Sequence, residues 1–168
     1  MVTRIVTDPG TPLQVVGSPD APRALIVLQE AFGVNDHIRS VAQRFAEEGY
    51  YVVAPELFHR SGSPEVPYDR FEEVAPVMAT LNPDGLGEDL AAAADFLHSA
   101  GYPTGSIGVV GYCMGGSVAL YADTLGLAGA AVSFYGGGVA TGRFGLAPLA
   151  ELAASLRAPW LGLYGDLD

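Results

Sequence analysis

The 168-residue sequence has no lysine: its eight basic residues are all arginine, against nineteen acidic ones, for a net charge of −11. Without lysine there is no Schiff-base or lysine-base chemistry, and so acidic a chain carries no basic footprint for nucleic acid. Cysteine occurs once, at Cys113, which excludes a disulfide within the chain and a paired-cysteine metal site. A lone cysteine is ordinarily a small buried hydrophobe. No apolar run approaches the ~18 residues that a membrane span needs, and no charged head followed by an apolar stretch and a small-residue cleavage site opens the chain. A soluble, cytoplasmic protein is expected. His-Glu-x-x-His, internal repeats and low-complexity tracts are missing too, so neither a metal nor another cofactor is expected.

Apolar residues are plentiful, with Leu, Val, Ile and Phe supplying 46 of 168, enough for one well-buried core and too short a chain for two. A single domain over 1–168 is expected. Two short apolar stretches around Ile5 and Val15, split by Asp8-Pro9-Gly10, suggest an opening hairpin. Continuous apolar runs at 24–28, 51–54, 106–110, 130–135 and 160–164 read as strands buried on both faces. Between them, helical spacing begins at Asp36 and ends at Gly49, and returns over 68–81, 88–98 and 114–125. Asn82-Pro83-Asp84-Gly85 reads as a break, and 55–67 as a long surface loop. Strands alternating with helices imply an α/β fold, a mainly parallel sheet covered on both faces. The chain stops at Asp168, four residues after an apolar strand with no helix to cover it. That pattern suggests a fragment lacking a last strand, a last helix and the loop they carry.

One stretch changes the reading of the cysteine. Gly111-Tyr112-Cys113-Met114-Gly115-Gly116 follows the strand ending at Val110 and opens a helix, the pattern of a nucleophile elbow with Cys in place of the usual Ser. Gly111 and Gly115 lack the β-carbons that would clash in so sharp a turn, and Cys113 falls at a helix N-terminus, where the dipole and free amides favour a thiolate.

Together with Gln29-Glu30-Ala31-Phe32-Gly33, Ala54-Pro55-Glu56-Leu57-Phe58-His59-Arg60 and Tyr164-Gly165-Asp166-Leu167-Asp168, this elbow makes the sequence resemble the dienelactone hydrolase family, of the α/β-hydrolase fold. The resemblance implies a hydrolase of carboxylic esters or lactones working through an acyl-enzyme. In it Cys113 matches the nucleophile, Asp168 the triad acid, and Glu30 a carboxylate that contacts the resting nucleophile and helps activate it when substrate binds, with a helix-capping or ion-pairing residue as the competing reading of Glu30. The amides of Ala31 and Met114 match the oxyanion hole. Arg60 matches an arginine that binds a substrate carboxylate, with a solvated loop arginine as the competing reading. Tyr135 is read either as a pocket wall or as a core tyrosine. The triad histidine would lie downstream of Asp168; His37, His59 and His98 all precede the nucleophile, and none is taken for it. The implied partner is a small-molecule ester or lactone. The other reading is a non-catalytic remnant or small-molecule-binding module that keeps the pocket without turnover.

Overall fold

The seven strands carry only two charged side chains, Arg4 and Arg23, as expected of a sheet whose inner strands are covered by helices. The computed structural model describes residues 2–166. Its elements run β1 (Thr3–Val6), β2 (Pro12–Val16), β3 (Arg23–Leu28), α1 (Asp36–Glu47), β4 (Tyr50–Pro55), α2 (Val74–Met78), α3 (Pro83–Ser99), β5 (Ile107–Tyr112), α4 (Met114–Thr124), β6 (Ala130–Phe134), α5 (Leu149–Leu152) and β7 (Trp160–Leu163). The sheet order is β1-β2-β4-β3-β5-β6-β7. β1 and β2 form the expected antiparallel hairpin, and β2 joins β4 antiparallel. From β4 to β7 every pairing is parallel.

Alternation along the strands divides the core in two. Ala24, Ile26 and Leu28 of β3 meet Leu86, Leu90, Met114 and Val118 of α3 and α4 on one face. Leu25 and Val27 meet Ile38, Val41 and Ala42 of α1 on the other. Strand register places Leu28 beside Gly111 and Tyr112 beside Phe134. The segments that follow β3, β5 and β6 therefore emerge together at the carboxyl edge, where open α/β sheets place their ligands.

Two helices depart from the sequence expectation. Helix α3 starts at Pro83, five residues before the expected Glu88, because the supposed break is a helix start: the Asn82 side chain accepts a hydrogen bond from the Gly85 amide at 2.9 Å, and Pro83 occupies the first turn. The helix expected over 68–81 shrinks to a 3₁₀ turn at Phe71–Glu73 leading into the five-residue α2. Pro76 has no amide hydrogen to close a further turn upstream. Among the described residues, no helix is long and apolar enough to cross a membrane.

Candidate active site

The turn between β5 and α4 is so tight that side chains are excluded from most of it. A β-carbon on Gly111 would lie 1.9 Å from the Gly115 carbonyl oxygen. One on Gly115 would lie 2.5 Å from the carbonyl oxygens of Leu28 and Gln29, and one on Gly116 2.7 Å from that of Phe134. These three glycines let α4 press directly on the ends of β3 and β6. Cys113, the residue that caps α4, is left with φ 53° and ψ −115°, a conformation that costs a non-glycine residue ~1–3 kcal/mol. The turn is held from both sides: the Cys113 amide donates to the Phe134 carbonyl at 3.0 Å, and the Cys113 carbonyl accepts from the Gly116 amide at 2.9 Å. Cys113 is half-buried. As the first residue of α4, Met114 presents an amide that the helix itself cannot satisfy.

Glu30 follows β3 by two residues, and Gln29 fixes its backbone. Fully buried, the Gln29 side chain accepts from the Leu57 amide at 3.0 Å and donates to the Glu30 carbonyl at 3.3 Å. It thereby ties the segment after β3 to the loop after β4. The Glu30 carboxylate accepts hydrogen bonds from two phenols, Tyr68 at 2.8 Å and Tyr135 at 3.3 Å. Tyr135 sits just past β6 in a left-handed conformation, φ 42°. Its ionisation is pushed up to about 12, first by burial and then by the negative charge of Glu30 and the nearness of Cys113. The phenol therefore stays a donor at neutral pH. Phe32 packs against Tyr68 with the rings tilted by 48° and their centroids 4.4 Å apart, and the Phe71 ring centroid lies 6.1 Å from that of Phe32. The structure thus brings Cys113, Glu30, Tyr135 and the segment bearing Ala31 to one place, and adds Tyr68, which the sequence reading did not single out. A phenol at the end of a proline-rich loop carries no local pattern that would announce it.

Arg60 is placed differently from the expectation of a free cation over the site. Its Nη1 donates to Asp89 at 2.8 Å and its Nη2 to Glu88 at 2.8 Å, both on α3. Asp89, only 1% exposed at its side chain, also accepts from Thr11 at 2.9 Å and lies 2.9 Å from His59 Nε2. A carboxylate so deeply buried needs partners of this kind, and Arg60 and His59 serve it. Asp89 escaped the sequence reading, although an acid between Leu86 and Leu90 on the inward stripe of a helix signals such a need. Asp168 lies outside the described residues. Cys113 lines neither the cleft of about 580 Å³ against β5–β7 nor the one of about 550 Å³ between β1 and α3. The site is built from strand ends and one loop.

Comparison with known proteins identifies the family. The family model described as the dienelactone hydrolase family matches residues 14–168. A carboxymethylenebutenolidase of Pseudomonas putida is 34% identical over 131 residues, covering 74% of this chain and 56% of that protein. A "putative carboxymethylenebutenolidase" of Methylorubrum extorquens is 36% identical over 148 residues, covering 86% of this chain and 50% of that protein. The chain thus spans about half the length of the curated relatives it matches. A solved "putative dienelactone hydrolase" from Klebsiella pneumoniae superposes with a TM-score of 0.77 at 30% identity, over the whole of this chain and 73% of that one. Fold, elbow and sequence match agree, and the chain belongs to the dienelactone hydrolase family.

Proposed function

We propose that the chain carries the nucleophile-bearing half of a carboxylic-ester or lactone hydrolase that works through a thioester acyl-enzyme. The observation that supports this most is the strained backbone of Cys113 at the β5–α4 turn, since a buried cysteine with only a packing role gives no reason to maintain a φ of 53°. In this reading the Cys113 sulfur attacks the carbonyl carbon and the C=O π electrons move to oxygen. The amides of Met114 and Ala31 receive the resulting oxyanion. Collapse of the tetrahedral adduct breaks the ester C–O bond and leaves a thioester on Cys113. Water then attacks the thioester, releasing the acid and restoring the thiol. Asp168 is the proposed triad acid, orienting an imidazole that takes the thiol proton and passes it to the leaving alkoxide. Glu30 and Tyr135 form the wall beside the sulfur. The activity, the substrates and the cytoplasmic location of the whole protein are all part of this proposal.

The test combines kinetics with stoichiometry. Hydrolysis of 4-nitrophenyl acetate is expected to disappear in Cys113→Ala, and in the wild type on alkylation of one thiol per chain. Undiminished hydrolysis in Cys113→Ala would move the chemistry elsewhere and favour the binding-module reading of Cys113.

A further inference from the structure

Ser133 of β6 is fully buried, and its hydroxyl makes two hydrogen bonds that do not belong to the sheet ladder. It accepts from Trp160 Nε1 of β7 at 2.8 Å and donates to the Gly116 carbonyl, in the first turn of α4, at 2.6 Å. That carbonyl shares its peptide unit with the Ser117 amide, which donates to the Cys113 carbonyl at 3.4 Å. A line of three hydrogen bonds thus runs from the indole on β7 to the strained residue of the elbow. Side chains are cleared from its path. Strand register sets Ser133 between Gly111 and Gly162, and a β-carbon on Gly162 would lie 2.4 Å from Trp160 Cη2. Trp160 itself pairs with Ala131, so the indole crosses Gly162 to reach Ser133, a diagonal contact that takes a long side chain. A buried indole N–H needs an acceptor. A carbonyl would meet that need and end the line, whereas a hydroxyl passes the bond on to α4.

We propose that Ser133 and Trp160 are positioning residues for acylation, bracing the first turn of α4 from β6 and β7 so that the Cys113 sulfur and the Met114 amide keep their relative aim at the carbonyl under attack. The inference rests on Cys113 being the acylated nucleophile. A residue with the backbone of Cys113, φ 53°, holds that conformation only while its surroundings enforce it. The Trp160 N–H polarises the Ser133 hydroxyl and so tightens its grip on the Gly116 carbonyl. Removing the hydroxyl strands the indole N–H without an acceptor and leaves the Gly116–Ser117 peptide free to tilt. Two other ties remain, from the Cys113 amide to the Phe134 carbonyl at 3.0 Å and from Ser117 Oγ to the Gly137 carbonyl at 2.7 Å. The turn is therefore loosened rather than lost.

The experiment measures two reactions of Cys113 in wild type, Ser133→Ala, Trp160→Phe and the double variant, all well below their thermal midpoints. One is acylation by saturating 4-nitrophenyl acetate, which builds an oxyanion; the other is alkylation by iodoacetamide, which does not. Ser133→Ala is expected to slow acylation about tenfold with KM unchanged, and Trp160→Phe about two- to threefold. In the Ser133→Ala background Trp160→Phe should add nothing, because the line is already cut. Alkylation should proceed at the wild-type rate in all of them. Trp160→Phe carries the test if Ser133→Ala does not fold. Lowered thermal midpoints with unchanged acylation would mean that the pair only stabilises the fold, and would overturn the brace. So would independent, multiplying effects of the two substitutions, or alkylation falling in step with acylation. If wild-type Cys113 is not acylated at all, the nucleophile reading falls and the brace with it; wild-type acylation matched by every variant removes the brace alone.

Discussion

Polar side chains in this molecule are seldom left to water when they lie near the sheet. Glu56, at the end of β4, shows what that means energetically. It accepts two hydrogen bonds from Arg4, at 2.8 and 2.9 Å, one from Gln14 at 2.7 Å and one from Ser63 at 2.6 Å. Burial by itself would raise its ionisation, but these donors outweigh burial and lower it from 4.5 to about 2. A carboxylate ionising lower in the folded than in the unfolded protein contributes stability above the unfolded value and loses it as pH falls through the folded one. Wild-type stability should therefore fall between about pH 5 and pH 2 by an amount on the order of 3 kcal/mol from this residue. In Glu56→Gln, thermal unfolding followed against pH should show a correspondingly flatter acid limb. An acid limb identical to that of wild type would contradict the assignment.

At the level of elements, legibility followed the period of the pattern. The apolar runs of β3, β4, β5 and β6 announce buried strands, and each appears within a residue or two of its expected place. The elbow was legible because glycines at 111, 115 and 116 flank a nucleophilic side chain between a strand and a helix. The start of α3 was not, because Asn, Pro, Asp and Gly are favoured both in turns and in the first turn of a helix, and composition alone does not choose. The structure chooses: Asn82 caps. Asn82→Ala should therefore lower the urea midpoint by the equivalent of about 1 kcal/mol, whereas a surface turn residue would cost almost nothing. The groups around Asp89 and Glu30 were illegible for another reason. Their members come from segments separated by 28 to 105 positions, and only the sheet order brings them together.

For the molecule as a whole, the parallel register from β4 to β7 is what converts scattered residues into a site, since it delivers the ends of β3, β5 and β6 to one edge. The net charge of −11 disfavours long-range attraction of anions, so under the proposed function any preference for an anionic ester has to come from short-range contacts. The central claim is that Cys113 becomes acylated, and the most direct measurement is mass spectrometry of the intact protein, rapidly quenched in acid after mixing with 4-nitrophenyl acetate. One acetyl group is expected per chain, located on Cys113 by peptide mapping and absent from Cys113→Ala. Rapid release of nitrophenol with no adduct on Cys113, or an adduct carried equally by Cys113→Ala, would contradict it.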